Sequence, residues 1–157
     1  MKPEIGIAKK DLNDSVVMLS MVLADEVTLY TKTRKFHWNV SGESFMELHK
    51  LFQVQYTELE ETIDQVAERI NKLGGKTIGT MKEFIALTRL KESPNKYPDQ
   101  KDMMKELLHD HDSLIAHLRK DIDVCAKKNN DVGTVDFLTG VLLQHETTAW
   151  VLRRYLS

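Results

Sequence analysis

The sequence predicts an all-α protein folded as a four-helix bundle. Apolar residues recur at spacings of three and four over four long stretches, the period that lays one stripe along a helix. No stretch alternates with the period of two that marks a half-buried strand. Turn- and cap-forming residues gather in the intervals between the stretches.

Residues 1–10, with Lys2, Lys9 and Lys10 among Pro3 and Gly6, read as a short mobile arm. The first helix starts near Asp11, and Leu12, Val16, Leu19, Leu23, Val27 and Tyr30 form its stripe. It runs through the basic patch Lys32, Arg34, Lys35 and ends around His37-Trp38, before the break at Ser41-Gly42. Ser44 and Glu47 have the spacing of a capping box for the second helix. Phe45, Leu48, Phe52, Tyr56, Leu59, Ile63, Val66, Ile70 and Leu73 make its stripe, and Gly74-Gly75 stops it. Thr80 and Glu83 form a second capping box, for a short helix carrying Phe84, Ile85, Leu87 and Leu90. Lys91 to Pro98 is a loop fenced by two prolines. The third helix runs from about Asp99 to Lys128 with Met104, Leu108, His111, Ile115, Leu118, Ile122 and Cys125 inward. Asn129-Asn130-Asp131 turns the chain into a fourth helix, about Thr134 to Leu156, which buries Leu138, Leu142, His145, Ala149, Leu152 and Leu156. The long link between the second and third helices implies a crossover rather than a tight turn.

Bulk properties narrow the function. A chain of 157 residues fits one domain, spanning residues 1–157, with enough length to bury a core. The formal net charge of -2 does not mark a nucleic-acid binder. The single cysteine, Cys125, permits no disulfide within the chain. Neither a signal peptide nor a run of ~18 apolar residues is present, so a cytoplasmic location is expected and no membrane contact.

Chemistry concentrates on the second helix. His49 with Gln53, and Asp64 with Glu68, lie on one flank of the apolar stripe, within about 100° of arc, and His37 sits just before the helix. At ~1.5 Å rise per residue His49 and Glu68 are roughly 28 Å apart, too far to share a metal ion within one chain. Antiparallel pairing of two such helices about a point near Thr57 and Glu58 sets His49 of one beside Asp64 and Glu68 of the other. A two-fold dimer makes two equivalent sites at once. Nitrogen with carboxylate oxygen suits iron(II), manganese or zinc.

The same residues carry a resemblance. Phe36-His37-Trp38-Asn39-Val40-x-Gly42, Phe45-x-x-Leu48-His49, Tyr56, Asp64-x-x-Ala67-Glu68-Arg69-Ile70 and Gly74-Gly75 closely resemble the Dps family, the mini-ferritins or DNA-binding proteins from starved cells. The likeness covers nearly the whole chain, including the short helix in the central link and Trp150 in the last helix. It implies a ferritin-like four-helix bundle that assembles as a hollow dodecamer with ferroxidase centres at the two-fold interfaces. His37 and His49 would come from one subunit and Asp64 and Glu68 from its mate. It implies a ferroxidase and iron-storage protein that takes Fe(II), oxidises it with hydrogen peroxide in preference to oxygen, stores the ferric mineral and so protects against oxidative damage. Trp38, beside the site, would pack at the subunit contact, with electron supply or radical quenching as the alternative role. One position departs from the family pattern: where Asp or Glu is usual four residues after His49, this chain has Gln53, a weaker ligand for a hard cation.

Other residues rank lower. Glu106 and His109 make one Glu-x-x-His unit, whereas an in-bundle di-iron site needs two. His111 and His145 read as hydrogen-bonded core histidines, and His117 as a surface one. Asp131 and Asp136 fall where family members line acidic pores, with a helix cap as the alternative for Asp131. Glu58, Glu60 and Glu61 fit either a mineral-facing surface or a solvated one. The rival function is a DNA-condensing shell with weak or no ferroxidase activity. With only three lysines in the arm, DNA binding should be weak and salt-sensitive.

Overall fold

The computed structural model describes residues 3–157, so the expectation for Lys2 lies outside the described residues. Helix α1 spans Lys9–Asn39, α2 Phe45–Lys72, α3 Met81–Leu87, α4 Gln100–Val124 and α5 Val132–Leu156, with a π-helical turn Cys125–Asn129 extending α4. The four long helices fall where the periodicity places them. Helix α1 begins two residues before Asp11 and takes in Lys9 and Lys10. Just before it, Ile7 packs against the core and Pro3 lies beside Gly74.

The direction of each helix can be read from its polar pairs. Asp25 and Lys32 of α1 reach Asp121 and Asp110 of α4, in reversed order, so α1 and α4 are antiparallel. Arg89 carries the first of these links, bonded to both aspartates. Glu47 and Thr62 of α2 reach Tyr155 and Gln144 of α5, again in reversed order. With α1 and α2 joined as a hairpin, α2 and α4 run the same way. The segment between them must therefore travel the length of the bundle, and α3 forms on that crossover against α1.

Helix α1 is the central element: every residue from Val22 to Leu29 is buried. Leu19, Val22, Leu29, Phe52, Val66, Ile70, Leu107, Leu114, Leu118, Leu138 and Leu152 have no exposed surface, and each such side chain contributes about 1.5–3 kcal/mol of transfer free energy. On α4 the buried stripe runs through Met103, Leu107, His111, Leu114 and Leu118, about one position around from the expected one, and leaves Leu108 and Ile115 half-buried.

Helix ends follow local chemistry. Leu73 closes α2, Gly74 follows with φ +82°, and the amides of Gly74 and Gly75 bond back to Asn71 and Ile70. A side chain at 75 would strike Val16, 2.6 Å from the place of its first carbon. The Thr80–Glu83 box forms with both of its bonds. The Ser44–Glu47 box does not. Ser44 sits at ψ 24°, not in the extended conformation that aims a capping hydroxyl at the helix, and Glu47 instead accepts from Tyr155 Oη at 2.7 Å. Helix α4 loses its α geometry at Cys125 because the chain widens into the π turn before Asn130, at φ 50°, ends it. Among the described residues no helix is long and apolar enough to cross a membrane.

Candidate metal centre

His37, in the last turn of α1, is buried, and His49, in the first turns of α2, is half-buried. Their rings stack at 3.8 Å between centroids. The ring Nδ1 of His37 lies 2.7 Å from the carbonyl oxygen of His49, and Nδ1 of His49 lies 2.9 Å from the carbonyl oxygen of His37. A carbonyl oxygen only accepts, so each Nδ1 carries the proton and donates it. Each neutral ring then keeps its lone pair on Nε2, the atom a metal ion would take. The turn at 40–44 brings about this reciprocal lock. Val40 closes α1 by bonding to Phe36, and Gly42, at φ +113°, lets the chain reverse within five residues.

The acidic half lies elsewhere. Asp64 and Glu68 are exposed on α2, and Glu68 pairs with Lys72 at 3.0 Å. Gln53 is exposed on the same flank. Among the described residues, no group of three or more His, Cys, Asp and Glu side chains is placed to hold a metal ion. One chain therefore brings together His37 and His49 and leaves the carboxylates apart from them.

Around the histidines stands a cluster that the periodicity does not single out. The Arg34 guanidinium lies 4.8 Å from the ring centroid of Tyr56, 5.2 Å from that of Trp38 and 5.5 Å from that of Tyr30. It donates to Tyr30 Oη at 2.6 Å, and Tyr56 meets His37 edge-on at 5.2 Å. Phe45, expected in the core, is 40% exposed and lies against His49. Trp38 is 65% exposed. The spacing Tyr30, Arg34, Trp38 was visible as one helix face, but only tertiary contact shows that Tyr56 completes it.

The remaining candidates have structural duties. His111 Nδ1 lies 2.9 Å from His145 Nδ1, and His145 Nε2 lies 2.8 Å from Glu26 Oε1, so both are hydrogen-bonded core histidines. Complete burial, with His145 as a second cause, holds His111 well below its ordinary pKa. Glu106 accepts from Ser93 and pairs with Lys32 at 3.1 Å, while His109 is exposed. Asp131 has no exposed surface. It pairs with Arg69 at 2.9 Å and caps α5 through the amide of Thr134 at 3.0 Å, so it is a buried cap and cannot line a pore. Gly133 makes room for this pair, since a first side-chain carbon there would lie 2.9 Å from Arg69 Nη2. Asp136 is exposed.

The ferritin-like domain family matches residues 17–157. An uncharacterized low temperature-induced protein of Nostoc is 40% identical over 98% of this chain and 86% of its own length. DNA protection during starvation protein 2 of Bacillus anthracis is 34% identical over 93% of this chain and 99% of its own. Among solved structures, the Dps protein of Vibrio cholerae, described as a member of a broad superfamily of ferritin-like diiron-carboxylate proteins, superposes with a TM-score of 0.92. It is 27% identical, over 99% of this chain and 97% of that one.

Proposed function

We propose that this chain, which belongs to the Dps family of ferritin-like proteins, is a ferroxidase and iron store whose site is shared between two subunits of a dodecamer. Fe(II), the substrate, binds between His37 and His49 of one subunit and Asp64 and Glu68 of the partner subunit, with Gln53 as the weaker ligand of a second position. The reading rests above all on the reciprocal lock of the two histidines, which leaves both Nε2 lone pairs free. Two imidazole nitrogens and two carboxylates suit Fe(II), and the carboxylates favour the harder Fe(III) product. Hydrogen peroxide takes one electron from each of two Fe(II) ions and leaves as two hydroxide ions. The Fe(III) then passes to a mineral inside the shell, and Fe(II) and peroxide are removed together. A cytoplasmic site of action fits that role.

The test is anaerobic loading with Fe(II) followed by peroxide, in wild type and in a variant lacking all four of His37, His49, Asp64 and Glu68. The variant should assemble but lose the fast phase of oxidation. Equal rates would overturn the assignment.

DNA protection, the role in the name of the Bacillus anthracis relative, comes on this reading chiefly through iron and peroxide removal. A DNA-condensing shell draws less support, because Lys10 is paired with Asp14 at 2.6 Å and the net charge is -2. DNA should shift in a gel only at low salt and be released by physiological ionic strength. Retention there would favour condensation.

A further inference from the structure

Helix α2 carries one row of outward residues: Met46, His49, Gln53, Thr57, Glu60, Asp64 and Glu68. At ~100° per residue they fall within about 100° of arc, and all are exposed in the single chain except half-buried His49. The row begins one turn before the first ligand, at Met46, ends on Glu68, and contains one carboxylate that the proposed site does not use, Glu60. Its neighbours differ. Glu61 lies about 80° and Glu58 about 140° around from Gln53 by the same arithmetic, and Thr62 faces inward, bonded to Gln144.

A two-fold axis that brings His49 against Asp64 and Glu68 of the partner subunit passes beside Thr57. Gln53, four residues before the axis, then faces partner positions three to five residues after it. Of these, Thr62 is buried and Glu61 is turned off the row, which leaves Glu60. We propose that Glu60 of the partner subunit supplies, at the second metal position of the shared site, the carboxylate that Gln53 lacks. The proposal rests on the shared site described above. A glutamate side chain is long enough to reach across a helix pair, and its charge suits a hard divalent cation where a neutral amide does not. A second observation places Glu60 on the same side as the site. The Arg34 guanidinium is held in its charged form first by its bond to Tyr30 and, among weaker causes, by Glu60. Glu60 is thus within electrostatic range of the aromatic cluster that flanks His37.

Anaerobic calorimetric titration of the assembled protein with Co(II), which binds without being oxidised, reads the site directly. Glu60→Gln should weaken the lower-affinity position by about tenfold or more, the size of effect expected for losing one supporting carboxylate. Glu61→Gln should titrate like wild type, and Gln53→Glu combined with Glu60→Gln should restore the lost binding. Wild-type titration by Glu60→Gln, or an equal loss in Glu61→Gln, overturns the proposal. Asp64→Asn separates the two levels: if it also binds like wild type, the shared site itself is wrong. If it loses Co(II) while Glu60→Gln does not, only the role of Glu60 fails. A metal-free check uses Gln53→Cys with Glu60→Cys. On one helix these positions are ~10 Å apart, beyond disulfide reach, so a bond can form only between chains. Cross-linked dimers on a non-reducing gel are expected, and fewer with Gln53→Cys and Glu61→Cys. Their absence from the first pair would overturn the placement.

Discussion

His111 lies wholly inside the bundle and stays neutral there, because burial and His145 both oppose a charge on it. The unfolded chain takes up a proton on this ring as the pH falls through 6.5, its ordinary value, whereas the folded chain does not. Stability is therefore lost on acidification, by up to about 1.4 kcal/mol per pH unit below that point. His111→Gln, which keeps a donor for His145, should flatten the fall in melting temperature between about pH 7 and pH 5. An unchanged slope would show that other groups carry it. Cys125 makes a simpler case. Burial pushes its thiol up from the ordinary range, and it lies against Met18 and Ser15, so it should resist thiol reagents until the fold opens. At this scale the sequence shows which side chains are capable of chemistry but not which are already engaged. Asp131 has the same letter as Asp64, yet one is spent on Arg69 and a helix cap while the other is exposed. Arg69, 62 residues away in the chain, makes that difference.

Among the elements, α3 owes its position to a few polar ties. It buries no side chain completely, and its start depends on the Thr80–Glu83 box. Thr80→Ala should cost about 1 kcal/mol in local stability, read as faster amide exchange in α3 with little change elsewhere. The segment after it is held harder. Arg89 bonds Asp25 at 2.8 Å and Asp121 at 2.8 Å, tying the crossover to α1 and α4. Arg89→Met removes the counter-charge of the fully buried Asp25 carboxylate, which then keeps only the residue-89 amide and the Thr88 hydroxyl, and should destabilise the chain by about 3 kcal/mol in urea unfolding. Helix positions were legible because a period of three and four survives any tertiary detail. Asp25 and Glu26 sit side by side in the buried run of α1, where two adjacent acids need buried partners. Their partners, Arg89 for Asp25 and His145 for Glu26, could not be named, because the crossover and α5 reach α1 only after folding. The failed Ser44–Glu47 box has the same origin: Tyr155, at the far end of the chain, competes for Glu47.

At the scale of the whole molecule, the proposed site divides its ligands between subunits, and that division predicts a rescue. A variant lacking His37 and His49 and a second lacking Asp64 and Glu68 should each be inactive alone. Co-assembled at random in equal amounts, they should regain activity at about a quarter of the sites, because each mixed two-fold pair rebuilds one complete site and one doubly broken one. No recovery in mixed shells would place the ligands within single chains. The bundle and its crossover could be read from the sequence, and the proposal of a second copy starts there too, since ~28 Å of helix is a distance that no local rearrangement closes. What stayed hidden was the readiness of the histidine half, which depends on two backbone carbonyls.

That readiness also sets the reaction order. Each protomer holds its two histidines locked in place, while among the described residues no group of three or more candidate ligands is gathered within it. On the proposed site, the rate of iron oxidation in a dilute, dissociating solution should rise with the square of protomer concentration, and become linear once the pairs are saturated. A chain newly released from the ribosome would then be inert towards iron until it meets its mate.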